Sequence, residues 1–190
     1  MEGVRGRQRW LYPGVLLVGA LMLIGALVYE QRASASPTGT ATIALVAPAQ
    51  ARAGSLITVD LVASNVRNLA GYQATIKYDS AQMRLVGASI ADDLKRGGRD
   101  VLPLGPTEQT GAVVLGAVSC PVRKCSDARP AQAQRIPSGI DGTVKVGTVR
   151  FYAAAPGSYP LTLADVRLVD PQGQFLPVTA TSIVLNVSAP

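Results

Sequence analysis

Residues 55–79 read SLITVDLVASNVRNLAGYQATIKYD, and their alternation decides the fold class. Ile57, Val59, Leu61 and Ala63 fall on one side of an extended chain, with Thr58, Asp60 and Ser64 on the other. Tyr72, Ala74, Ile76 and Tyr78 then alternate with Gln73, Thr75 and Lys77. A period of two sends successive side chains to opposite faces, so each segment is a β-strand with one face to bury. Between them, Asn65-Val66-Arg67-Asn68 carries turn-prone Asn and predicts a short polar connection, with Ala70-Gly71 opening the second strand.

The same grammar extends in both directions. Ile43 to Ala47 predicts a first strand stopped by Pro48, and residues 49–54 predict a turn. Ser80 to Met83 predicts one helical turn capped by Asp79, followed by a strand from Arg84 to Ile90. Residues 91–100, ADDLKRGGRD, predict a polar loop. Val101 to Leu104 predicts a short edge strand, since proline cannot donate to a ladder. Gly111 to Ser119 is apolar on both faces, as a central strand requires, and Cys120 to Gly142 is a long excursion without periodicity. Thr143 to Ala154 alternates again but changes phase at Gly147, where a β-bulge reconciles Val144 and Val146 with Val149 and Phe151. Tyr159 to Val169 is the next strand, Asp170-Pro171-Gln172-Gly173 a turn, and Phe175 to Val187 the last strand or two. About nine strands at such spacing predict an all-β sandwich or barrel.

Composition narrows the function. The chain has 190 residues, 48% hydrophobic but only 5% aromatic, so the core is expected to be aliphatic. It contains no His, which removes Ser-His-Asp and Cys-His nucleophile systems and most zinc enzymes. The formal charge is +6; four of the 18 basic and two of the 12 acidic residues precede Ser36, leaving +4 scattered over the rest. Without a basic stripe interleaved with aromatics, no nucleic-acid partner is expected.

Arg5, Arg7 and Arg9 precede an uncharged apolar stretch, residues 10–29, and Ala33-Ser34-Ala35 matches a small-residue cleavage site. Residues 1–35 therefore read as a signal peptide or as a single-pass membrane anchor, and both place the remainder outside the cytoplasm. Residues 36–42 are a linker of small polar residues, and 43–190 the sandwich domain.

Candidate chemistry is sparse. Cys120 and Cys125 form an even pair at short range, predicting a disulfide worth about 2 kcal/mol in an exported protein. Asp92, Asp93 and Asp100 lack calcium-loop spacing and read as a solvated loop; no metal and no cofactor are expected. Glu108 is the only Glu after Arg32, so no carboxylate pair for glycoside hydrolysis can be assigned and no enzyme is expected. Tyr72 and Tyr78 share the core side of their strand. Gln73, Thr75, Lys77 and Arg150, with Tyr152 as the more exposed aromatic, make up a polar face suited to protein recognition or solvent. Asn186-Val187-Ser188 matches a glycosylation acceptor.

With the strands placed, the chain resembles a cohesin domain of the carbohydrate-binding-module-like β-sandwich group. The resemblance lies in Ala53-Gly54-Ser55, Ile57 to Leu61, Asn68-Leu69-Ala70-Gly71-Tyr72-Gln73, Ile76 to Asp79, Leu85 to Ala88 and Gly147 to Phe151. It spans about Thr42 to Ser188. It implies a nine-stranded jelly-roll sandwich that is non-catalytic and grips a dockerin module on one sheet face. It further implies that this face comprises Gly71–Tyr78, Val101–Leu104, Gly111–Ser119 and Thr148–Ala154. The alternatives are a carbohydrate-binding module that takes polysaccharide directly and a passive surface or adhesion domain.

Overall fold

The computed structural model describes residues 39–120 and 139–190. The apolar segment at 10–29, the cleavage motif, the linker's first residues, Cys125 and most of the 120–142 excursion lie outside these residues. Among the described residues no helix is long and apolar enough to cross a membrane.

The described chain is almost wholly β. Its strands are β1 (Ala41–Val46), β2 (Ala51–Arg52), β3 (Leu56–Leu69), β4 (Gly71–Lys77), β5 (Met83–Ile90), β6 (Asp100–Pro103) and β7 (Thr107–Gln109). Then follow β8 (Ala112–Cys120), β9 (Ile140–Ala153), β10 (Gly157–Val169), β11 (Phe175–Leu176), β12 (Val178–Thr181) and β13 (Ile183–Ser188). The smaller sheet runs β12-β1-β3-β9-β5 and the larger β2-β13-β10-β4-β8-β6, with β11 added beside β10 and β7 beside β8. Thirteen strands stand where about nine were expected. The additions are β2 in the predicted turn at 49–54, β7, and a third strand after Phe175. Edge placement of β6 and the interior placement of β8 follow the sequence reading.

The opening stretch holds the main topological surprise. Its two segments do not pair. β3 lies between β1 and β9 in the smaller sheet, whereas β4 lies between β10 and β8 in the larger. Asn65 to Asn68, expected to be the connection, continues β3 as an irregular ladder with β9. Asn65 and Asn68 take φ of 55° and 59°, and the register slips on both sides of Val66. Positive φ suits Asn in a bulge as well as in a turn, so the residue type alone does not separate the two. Asn68 is fixed by a reciprocal clasp: its amide N–H donates to Asp141 Oδ1 at 2.6 Å, and its own Oδ1 accepts from Gly139 N–H at 2.5 Å. The chain then crosses between sheets at Ala70.

The bulge expected at Gly147 is present. Leu61 and Val62 are consecutive, but their partners Gly147 and Lys145 skip Val146. Val144, Val146 and Val149 all reach the core as a result. Gly147 is tightly enclosed there: a Cβ would lie 3.0 Å from Leu115 Cδ1 and 3.3 Å from Ser89 O, so its neighbours would have to give way. Across the sandwich, the Tyr72 hydroxyl donates to the Val146 carbonyl at 2.6 Å, and Ala91 N–H donates to the same oxygen at 3.2 Å. Two further turns match expectation. Asp79 caps the turn before β5, accepting from Ala81 N–H at 2.9 Å, and Asp170 Oδ1 accepts from the amides of Gln172 and Gln174.

The core is aliphatic, as the composition required. Ile43, Ile57, Leu61, Leu69, Ile76, Leu115, Leu161 and Leu168 are fully buried, and Phe151 is the one fully buried aromatic ring among the described residues. Tyr78 sits at the margin with its ring 5.2 Å from that of Phe151. The loop at 91–100 is more than solvated polar chain. Asp92–Lys95 forms a 3-10 turn that buries Leu94 completely. Asp93 accepts from Lys145 N–H at 3.0 Å, Asp92 pairs with Lys95 at 2.8 Å, and Ser119 Oγ donates to Leu94 O.

Tyr72→Phe keeps the ring and deletes the inter-sheet hydrogen bond, so it should cost about 1 kcal/mol. Burial also raises the Tyr72 pKa above its ordinary value near 10. The folded protein therefore holds this proton where the unfolded chain loses it. The associated stability is complete below about pH 10 and declines as pH rises beyond it. Denaturant titrations at neutral and strongly alkaline pH should show a smaller alkaline loss in Tyr72→Phe than in the parent.

Candidate partner-binding face

β4 positions the first three predicted contact residues on the outer side of the larger sheet. Gln73 and Lys77 are exposed, while Thr75 is only 7% accessible, hemmed by its in-register neighbours Val114 and Ala164. Arg150 and Tyr152 are elsewhere. They belong to β9 in the smaller sheet and point away from the core, so they lie on the opposite outer surface of the sandwich. The segment Thr148–Ala154 is thus separated from the other three segments expected to share one face. Alternation assigns a residue to the outside of its own sheet but does not say which sheet that is.

Register builds a different constellation around β4. Phe175 pairs with Val169, Val169 with Gly71, Gly71 with Val118, and Val118 with Leu102. Cross-strand partners share a face. These five residues therefore form an apolar row across β11, β10, β4, β8 and β6. Phe175 is 68% and Leu102 49% exposed, and Leu104, next along the edge, is 56% exposed. Gly71 lies at the centre, where a Cβ would come 2.9 Å from Val169 Cγ2 and 3.2 Å from Ala117 O. Glycine leaves the centre of the row without a side chain. A second row, Arg167-Gln73-Gly116, runs beside it, and the Arg167 guanidinium stacks 5.9 Å from the centre of the Phe175 ring.

The result is a gently polar sheet face crossed by an aliphatic and aromatic band. Contiguous exposed apolar surface rimmed by polar groups is characteristic of protein contact. Among the described residues no group of three or more acidic, His or Cys side chains is placed to hold a metal ion. Sequence reasoning named Gln73 and Lys77, and the implied face took in Val118 and Leu102 within Gly111–Ser119 and Val101–Leu104, but it missed Val169 and Phe175. The turn Asp170 to Gly173 was legible and places Val169 opposite Phe175, so that half of the row had a signal. Cys120 ends β8 at one end of this face.

Comparison with solved structures addresses the fold. A non-cellulosomal cohesin from Archaeoglobus fulgidus aligns with a TM-score of 0.58 and 16% identity, covering 79% of this chain and 92% of that one. The fold is that of a cohesin module. A cohesin from a Clostridium perfringens family 33 glycoside hydrolase gives a TM-score of 0.60 at 10% identity, covering 80% of this chain and all of that one. The OlpC cohesin of Clostridium thermocellum, solved in a type I complex with a dockerin, gives 0.59 at 9% identity, covering 83% and 99%. No protein-family model and no curated protein sequence matches the chain. The cohesin fold expected from Asn68 to Gln73 and its neighbouring strands is thus present, carried on a sequence that shares few residues with these structures.

Exposed apolar side chains contribute little to folding. The double change Leu102→Ser/Phe175→Ser should leave thermal stability within about 1 kcal/mol of the parent. Leu115→Ala, which empties a fully buried site on the inward side of β8, should cost about 2–5 kcal/mol. Melting curves of the two variants check the contrast.

Proposed function

We propose that the chain is a non-catalytic, exported cohesin-like module that binds a protein partner of dockerin type through the outer face of the larger sheet. The observation that carries this reading is the in-register row Phe175-Val169-Gly71-Val118-Leu102, which keeps large apolar side chains exposed on the sheet face. Gln73 and Lys77 lie beside that row and supply hydrogen-bonding and charged groups to its margin. Several of the similar cohesins were solved with dockerins, which supports a partner of the same type. Export rests on the basic residues at 5–9, the apolar stretch at 10–29 and the motif at 33–35. A Cys120–Cys125 disulfide suits that compartment. A link to polysaccharide breakdown is suggested by the glycoside hydrolase that carries one of the similar cohesins.

The full-length chain, immobilised in mild detergent, should capture from culture supernatant a protein that carries paired calcium-loop repeats. Capture should be abolished by a calcium chelator and weakened at least about tenfold by Leu102→Ser/Phe175→Ser, as loss of central apolar anchors does. Retention on cellulose or xylan with no protein partner would instead assign direct polysaccharide binding.

A further inference from the structure

The outer surface of the smaller sheet has its own distinct chemistry. Arg84 on β5 lies opposite Tyr152 on β9, and its guanidinium stacks 5.4 Å from the centre of that ring. Gly87 lies opposite Arg150, with Val86 the extra residue of a bulge between them. The Arg150 side chain reaches across β5, its Nη2 3.5 Å from the point a Cβ on Gly87 would occupy. The Arg84 guanidinium thus stands over β9 and that of Arg150 over β5, and neither pairs with a carboxylate among the described residues. The nearest acid on this face, Asp60, is already engaged by Lys145 at 3.7 Å and by the Thr148 hydroxyl at 2.8 Å. Leu56, in register with Tyr152, is 52% exposed, and Val86 45%.

We propose that this surface is a second docking site, separate from the row on the larger sheet, for an extended acidic segment of another protein. Charge complementarity argues for an acidic occupant, since the face offers two uncompensated guanidiniums. Geometry argues for an extended one. Tyr152, which carries the Arg84 guanidinium, and Arg150 are two positions apart on β9, so the two cations are offset by about 7 Å along the strand direction, the repeat of alternate residues in a strand. Carboxylates at positions i and i+2 of an extended peptide project to the same side at that spacing. Stacking on Tyr152 leaves the N–H edge of Arg84 free for a bidentate contact to a carboxylate. The same stacking covers a ring face that a sugar would need, and the exposed Leu56 and Val86 suit peptide side chains better than hydroxyls. A second copy of this chain is a poor occupant, because no two of its acidic residues are two positions apart.

Fluorescence anisotropy tests this with the full-length chain in mild detergent and a labelled Ser-Glu-Val-Glu-Ser peptide. Binding is expected, weakening several-fold as salt rises from roughly 50 to 500 mM. It should fall about tenfold in Arg84→Gln/Arg150→Gln, in keeping with loss of paired charge contacts. Arg150→Gln alone, which leaves the Tyr152 stack in place, should weaken binding without shifting the melting temperature. Lys77→Gln, on the other sheet, should leave this peptide's affinity unchanged. The isomer Ser-Glu-Glu-Val-Ser should bind about fivefold more weakly, because adjacent residues of a strand face opposite ways. No binding, equal affinity for the two peptides, insensitivity to the arginine changes, or loss on Lys77→Gln would each overturn the proposal. So would polygalacturonate displacing the peptide at lower carboxylate concentration, which would make the ligand a polysaccharide, or self-association lost in the double variant.

Discussion

The hydrogen bond from Tyr72 to the Val146 carbonyl ties the larger sheet to the smaller one at the bulge in β9. The carbonyl belongs to the residue that bulges out of β9, and so lacks a regular place in the ladder with β3. A buried carbonyl without a donor is costly, and here one donor comes from the opposite sheet and another from Ala91. The bulge lets Val144, Val146 and Val149 all enter the core, and Gly147 removes the side chain that would collide with Leu115. The bulge sets the phase of β9, and the contact fixes which side of β4 faces it. With Tyr72 turned inward, Gln73 and Lys77 must turn outward, and the face of the larger sheet is set.

Much of this was legible in the sequence because burial and strand period are coupled. Ile57, Val59 and Leu61, and again Tyr72, Ala74 and Ile76, are buried as their alternation required. The break in phase at Gly147 reported the bulge, and Asp170 to Gly173 reported its turn. What stayed hidden was pairing. Residues 55–79 looked like a hairpin because Asn65 and Asn68 favour positive φ, which serves bulge and turn alike. Only the long-range clasp of Asn68 to Gly139 and Asp141 makes it a bulge. For the same reason Arg150 and Tyr152 could be read as outward residues but not as belonging to the other sheet. Leu94 was concealed by its setting, a single apolar residue among charges. Sparse alternation cannot report a 3-10 turn pinned by Ser119 and Asp93.

The sandwich therefore carries two unlike outer surfaces on one aliphatic core. One is crossed by an apolar band with polar margins. The other is cationic, with its arginines held by stacking and by the lie of a bulged edge strand. On both sheets the side chains stand on a fixed grid and are positioned by the ladder rather than by loops.

Gly71 has a consequence for how such a face can change over generations. Any side chain at this position would meet Val169 Cγ2 at 2.9 Å and the Ala117 carbonyl at 3.2 Å. A new contact cannot be added at the centre of the band by a single substitution; Val169 must shrink or the strands part first. The centre is thus locked by its neighbours, while Phe175, Leu102 and Lys77 at the periphery are free to vary one at a time. Change in this face would proceed from the rim inward, and a change at the middle would require two coupled steps, the first of them made at the expense of the band itself.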